Sequence, residues 1–487
     1  MIDTQVKIHD NFSVELKTGF ITNNKPEDIN EFKINTWIFI PNSLDINGST
    51  YSKQQFYKSV KNNIRLITPV YSLSDILKEG RGPLPRLQRA LDELYISPEN
   101  EAKTENYVYQ VKMLLCILKS ALRREVLIIS ALKDDDEIIN HTTLFVEQIK
   151  SIAAQYRAMW IMLDRPEIND KQREPFLFGD DFLGNIIEQY SFSIIKQLKK
   201  QSVFDSVKGI LYKLIQEELD HKKEQGFHTL EKGNEEQNSI VISQRNILKK
   251  FVESDLFLQT VKKKDGAFAE QFYYSIAAGI AMIFATVISF FATQRYGNFT
   301  TDLFIVLVVS YMLKDRIKDL MRYYFSSELS KKYFDSKLKL SIRKQEIGWI
   351  KEAFDFREET KVPEEILTIR NRTPLVEAEN EIYDEKIVLY RKWVRLSRAE
   401  IEKYKEYHLS GINDITRFHL MDFTQKMGNP SIPLYLPDED NGFITLEGAR
   451  VYPLYFIVQC ESDADTYYKK YRLLFNRTGI TSVSELS

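Results

Sequence analysis

Six histidines, His9, His141, His221, His228, His408 and His419, are the side chains of this chain best suited to metal or proton chemistry, and no HExxH sets two of them on one helix face. Glu218-x-x-His221 is the pairing with ligand spacing, since residues three apart on a helix share a face, as di-iron carboxylate bundles require. Such a centre needs the motif twice and two further carboxylates. The single copy lies in a helix end rich in Glu and Lys, so a solvated face is the better reading and no metal ligand is assigned. Cys116, within Leu114-Leu115-Cys116-Ile117-Leu118, reads as a small core hydrophobe. Cys460 stands beside Glu461 and Asp463, an acidic setting that discourages a nucleophilic thiolate.

Two loops resemble binding motifs and fail on register. Gly80-Arg81-Gly82-Pro83 lacks the Lys-Ser/Thr ending of a phosphate loop and reads as a tight turn. Asp438-Glu439-Asp440-Asn441-Gly442 resembles a calcium loop, yet alignment on Gly442 puts Pro437 at the first ligand position. Asn441-Gly442 instead predicts a type I′ hairpin turn. No catalytic, nucleotide, cofactor or metal signature rises above chance, so an enzyme would need a site assembled from scattered residues.

The elements around these residues say more. With 487 residues, 43% hydrophobic and 12% aromatic, the chain can build two or three cored domains. Sixty-seven basic against sixty-nine acidic residues leave a net charge of −2, without the basic excess that nucleic-acid binding needs. Two distant cysteines fit a reducing compartment and offer no disulfide framework. The start, Met1-Ile2-Asp3-Thr4-Gln5-Val6-Lys7-Ile8, does not read as a signal peptide, which places the N-terminal region in the cytosol.

Gln271 to Gln294 is a run of 24 uncharged residues, roughly 36 Å as a helix against a hydrocarbon core of about 30 Å. Phe272, Tyr273 and Tyr274 at one end and Phe290, Phe291 and Tyr296 near the other match interfacial aromatics. A second run, Leu303 to Leu313, is shorter and must borrow residues from Tyr296 onward, with Lys314 snorkelling. Lys262, Lys263 and Lys264 precede the pair, Lys314, Arg316, Lys318, Arg322, Lys331 and Lys332 follow it, and Arg295 lies between. By the positive-inside rule both flanks are cytosolic and the turn is outside, the topology of a multi-pass protein of the bacterial inner membrane. The same cations would attract anionic headgroups.

The first helix carries small residues at Ser275, Ala278, Ala281, Ala285, Ser289 and Ala292, with Gly279 completing Ser275-x-x-x-Gly279. Small residues let helices approach closely in lipid, so Ser275, Gly279, Ala285 and Ser289 are the expected packing positions. Packing on the hairpin's own second helix is the simpler use, and packing between protomers the other. Only Arg295 and Asp302, near the turn, are ionisable within the hairpin away from its cytosolic ends, so no ion pathway is marked at the midplane.

Period-two runs such as Glu31 to Ile40 suggest a small α/β lobe over 1–95, and helical periodicity a bundle over 96–264. The hairpin occupies 268–318, with helices at about 271–294 and 297–316. Short alternating segments over 335–487, including Glu365 to Arg370, Lys386 to Trp393 and Tyr467 to Phe475, predict an all-β sandwich or barrel. The chain is thus expected to be a multi-domain α+β membrane protein, a non-enzymatic tether for assembly or sensing with a protein partner or self-association. The alternative is an effector whose hairpins oligomerise on a signal and perturb the bilayer.

Overall fold

The computed structural model describes residues 2–22, 29–297, 300–342, 345–382, 384–403, 406–440, 442–462 and 465–486. The predicted turn at Asn441 lies outside them. The chain is mixed α and β and divides into two compact units, one of residues 1–64, 258–405 and 411–487, the other of 65–257 and 406–410. Its strands are β1 (Ile2–Asp10), β2 (Ser13–Ile21), β3 (Ile29–Ile40), β4 (Val60–Leu66), β5 (Gln259–Lys263), β6 (Ser336–Ile342), β7 (Gln345–Arg357), β8 (Lys386–Ser397), β9 (Gly411–His419), β10 (Ser431–Asp438), β11 (Gly442–Ala449), β12 (Tyr452–Ser462), β13 (Thr466–Asn476) and β14 (Gly479–Leu486).

In the first unit an eight-stranded sheet, antiparallel throughout, runs β14-β13-β12-β3-β8-β7-β6-β5, and a second sheet runs β1-β2-β9-β4. Side chains of the two sheets meet in an aromatic core. Phe56, from helix α1 (Lys53–Ser59), stacks on Phe354 of β7 with ring centroids 4.0 Å apart, while Phe418 of β9 meets Tyr390 of β8 and Phe456 of β12. Alternation drives this burial. In β6, Ser336, Leu338, Leu340 and Ile342 face inward between half-exposed lysines and a serine. The β10–β11 ribbon stands apart, with Ile432, Leu434, Leu436, Ile444 and Leu446 sharing one exposed aliphatic face.

Sheet pairing, not chain order, defines this unit. Residues 1–64, assigned from sequence to a lobe of 1–95, supply β3, which hydrogen-bonds to β8 and β12 near the other end of the chain. Nor is the region after 335 all-β. Glu365 to Arg370, expected as a strand, lies in helix α11. Pro363 starts it, Glu364 and Glu365 fill its first turn, Arg370 its last, and Asn371 closes it in the left-handed region. These end signals outweigh the apparent alternation. Ile366 then packs on Trp37, Phe39, Ile387, Leu389 and Ile457.

The second unit is helical: α2 (Leu73–Leu77), α3 (Pro83–Ile96), α4 (Glu101–Ala131), α5 (Asp135–Ala158), α6 (Asp170–Leu198), α7 (Phe204–Glu224) and α8 (Glu235–Glu253). The 31-residue α4 is its axis, packing on α3, α6 and α8. Asn100, Asp134 and Asn234 cap α4, α5 and α8 through their side-chain oxygens. The remaining helices belong to the first unit: α9 (Ala267–Tyr296), α10 (Thr301–Lys332), α11 (Glu364–Arg370), α12 (Pro374–Ile382) and α13 (Arg398–Glu402).

Candidate functional site

Helices α9 and α10 leave and rejoin the large sheet between neighbouring strands. β5 leads into α9 and β6 follows α10, and the two strands pair from Gln259↔Ser341 to Lys263↔Lys337. Gly266 turns the chain into α9 with φ +68°, and a Cβ there would stand 2.7 Å from the Tyr333 ring, so only glycine fits both the conformation and the space. Two aspartates fasten the roots. Asp265 pairs with Lys351 at 3.0 Å and accepts from the Phe334 N–H at 3.3 Å. Asp335 accepts from Lys53 at 2.9 Å, the Tyr57 hydroxyl at 3.0 Å and the Phe354 N–H at 2.9 Å. Burial, with Asp335 beside it, pushes the Tyr57 phenol far above its ordinary range.

α9 is long and apolar enough to cross a bilayer, and only 17% of its apolar window is buried. That low burial separates it from the core helix of a globular domain. Phe272, Ile276, Ile280, Ile283, Phe290 and Phe291 all point outward. α10 does not reach the same apolar length, so the two-helix transmembrane pair expected from sequence is not reproduced as two equivalent spans. The helix continues unbroken from Thr301 to Lys332, as the helical spacing of Ile317, Leu320, Met321, Tyr324 and Phe325 leads one to expect.

The two helices pack antiparallel, with Tyr273 on Phe325 at 5.2 Å between ring centroids and Arg322 over the Tyr274 ring at 5.5 Å. Some eight to eleven residues toward the tip, about 12–17 Å by helical rise, these contacts bring Lys314 level with Met282 to Phe284. Lys314, Asp315, Arg316, Lys318 and Asp319 therefore run beside the part of α9 that follows Gln271 and carries no charge. The apolar run of α10, Leu303 to Leu313, measures only about 17 Å.

Of the expected packing residues, Ala285 and Ser289 are half-buried beside the buried stripe Ala277, Ala281 and Ala292. Ser275 and Gly279 face outward instead. The Ser275 hydroxyl bonds back to the Gln271 carbonyl at 2.9 Å, and a Cβ on Gly279 would meet nothing within 4 Å. A helix apolar on every side gives no periodic signal for its contact face, which α10 selects through buried Leu303 and Ser310. Among the basic flanks, Lys262 lies in β5, 3.8 Å from Glu352 and 4.6 Å over the Tyr57 ring, and Lys263 is its exposed neighbour. Lys264 binds Glu270, Lys318 pairs with Asp315 at 3.4 Å, Lys314 lies 3.9 Å over the Tyr311 ring, and Arg316 is exposed.

Sequence reasoning did not find the charges buried between the sheets. Lys392 donates to Asp414, to Thr416 at 2.6 Å and to Asn62 at 3.3 Å, while the Tyr390 hydroxyl donates to Glu352 at 2.9 Å. Burial raises the Asp414 carboxyl above its ordinary range although Lys392 opposes this. The only sequence signal is a lysine at an inward position of β8. The cavity lined by Phe56, Phe354 and Phe418 in the same core is apolar and about 20 Å³, room for a water rather than a substrate.

In the helical unit, Arg157 grips Glu218 with both terminal nitrogens, at 3.1 and 2.7 Å, and Asp180 with Nε at 2.9 Å. His221 lies 2.7 Å from the other Asp180 oxygen, and Glu218, expected on a solvated face, is buried against Arg157. Lys222 and Arg245 meet at Glu188 and Asn185 beside them. Among the described residues no group of three His, Cys, Asp or Glu is placed to hold a metal. Cys116 and Cys460 are both buried, and burial raises both thiols. No family model, no curated protein and no solved structure matches this chain.

Proposed function

We propose that the α9–α10 hairpin embeds in a lipid bilayer and tethers two folded units to one face of it, as a non-enzymatic assembly or sensing protein. The observation that carries this reading is the β5–β6 ladder at the root of an outward-facing apolar helix. Paired strands stand about 5 Å apart, so the two ends of the hairpin share one side of any membrane that α9 enters. A single crossing by α9 would tear that ladder apart. The exposed apolar surface of the hairpin needs a cover, and hydrocarbon supplies one of the right length for α9. Lys263 and its neighbours at the root would face headgroups on the cytosolic side.

A second reading, an effector whose hairpins associate, draws on the register. Charged side chains at the bilayer centre cost roughly 2.5–3.5 kcal/mol each, and α10 brings several toward depths where α9 is apolar. Association of copies through that flank would pair Lys314, Arg316 and Lys318 with Asp315 and Asp319 of neighbours.

Alkaline carbonate washing of membranes from expressing cells tests the first reading, with the protein expected in the pellet. Complete release to the supernatant would sink it. Dye release from liposomes, rising with protein density and lost in a Lys314→Leu/Arg316→Leu variant, would move the balance to the second.

A further inference from the structure

We infer that the helical unit carries a binding site for a small phosphate-bearing anion, in a cavity of about 250 Å³ lined by Arg65, Lys119, Arg123, Tyr190 and Lys249. The inference does not depend on whether the hairpin enters a bilayer.

The cavity is built by spacing. Lys119 and Arg123, one turn apart on α4, come to one face with Ser120 between them, Lys249 and Glu253 are one turn apart on α8, and Tyr190 comes from α6. Four cations therefore converge on a concavity with one carboxylate in its lining. That carboxylate is already engaged, because Glu253 accepts from Lys119 at 2.6 Å and lies 3.7 Å from Arg65. Arg123 and Lys249 make no ion pair among the described residues, and their heads are exposed at the cavity. The Arg65 Nε–H is buried without a hydrogen-bond acceptor.

The other charge cluster of this unit behaves differently. Arg157, Lys222 and Arg245 are matched by Asp180, Asp181, Glu188 and Glu218, with each cation bonded to a carboxylate. Like charges gathered without such partners repel one another, and a polyanion removes that penalty. Arginine and lysine beside Ser120 and Tyr190 hydroxyls are the donors that phosphate oxygens take. The volume lies just under the ordinary range for small-molecule sites, which fits a pyrophosphate-sized or mononucleotide-sized group better than a larger ligand.

Calorimetric titration of the full chain in non-ionic detergent with inorganic pyrophosphate tests the site. One saturable event per chain is expected, weakened by added salt. Because Arg123 and Lys249 are exposed, the R123A/K249A variant should fold with an unchanged melting temperature and bind about tenfold more weakly or worse. Vesicles of phosphatidylcholine with and without phosphatidylglycerol form the second arm. Binding only to the anionic vesicles, lost in R123A/K249A, supports the site with a lipid headgroup as the source of phosphate. No saturable binding of either probe, or equal binding by wild type and variant, overturns the inference and leaves a solvated basic face.

Discussion

Asp265 and Asp335, seventy residues apart, stand at the two roots of the α9–α10 hairpin and both bond to β7, Asp265 through Lys351 and Asp335 through the Phe354 N–H. Both helix roots are thereby fastened to the same strand. β7 also carries Glu352, which belongs to the buried charge network of the sandwich.

Asp335→Ala should loosen this connection. It removes the acceptor of Lys53, Tyr57 and the Phe354 N–H, and the stranded N–H alone costs about 1–3 kcal/mol. A lower melting temperature with earlier protease cleavage near residue 333 is expected. An unchanged melting curve would show that Asp335 does not hold the root, leaving Asp265 and the β5–β6 ladder.

Gly266→Ala and Gly279→Ala should differ in sign. The first forces a Cβ onto Tyr333 at positive φ and should cost about 1–3 kcal/mol. The second adds a methyl in open space inside a helix and should be neutral or stabilising by up to about 1 kcal/mol. Thermal unfolding of both variants in one detergent measures this. A large loss at Gly279 would mean that this outward face packs against another copy.

Lys392→Met should be among the most damaging changes in the sandwich. It leaves Asp414 buried without its cation and Glu352 with Lys262 alone at 3.8 Å, a loss on the order of 3–5 kcal/mol. Asp414 also sets a pH dependence. Its folded pKa lies above the ordinary value of 3.8, so the folded state binds the proton more tightly. Its contribution is complete below 3.8 and is lost as pH rises through the raised folded value. Asp414→Asn should flatten that part of the stability profile in urea titrations at stepped pH, and an unaltered slope would contradict the assignment.

Sidedness needs engineered thiols, since Cys116 and Cys460 are buried and stay silent toward a membrane-impermeant reagent on either side. Lys232→Cys and Ser482→Cys lie on exposed surface of the two units, and Tyr296→Cys lies at the hairpin tip. In intact cells only the tip should label if α9 crosses the bilayer. Labelling of Ser482→Cys without permeabilisation would refute the shared cytosolic face.

Element type was legible wherever period or end signals were strong. β8 and β13 follow their alternation, and α4 and α6 their apolar faces. Partnership was not legible, because β3 of residues 29–40 pairs across more than three hundred residues and local pattern carries no record of that. α11 differs from the expected strand because Glu-Ile-Leu-Thr-Ile-Arg alternates loosely while Pro363 and Asn371, which bound the helix, lie outside the run. Contact faces inside the hairpin were hidden for the opposite reason: every face of α9 is apolar. The basic cavity escaped because its cations sit on three separate segments, β4, α4 and α8, and nothing in any one of them records the other two.

The position of β3 also sets a schedule. Its partners β8 and β12 are translated about 350 and 420 residues later, which at roughly 5–20 residues per second is on the order of 20–80 s. Throughout that interval β3 has no ladder, while the whole helical unit and the α9–α10 hairpin leave the ribosome. The hairpin is therefore fully synthesised before the sheet that anchors it can close. A nascent chain of this design leaves β3 unpaired through most of its synthesis, and slowed synthesis beyond Lys332 would lengthen that exposure rather than aid folding.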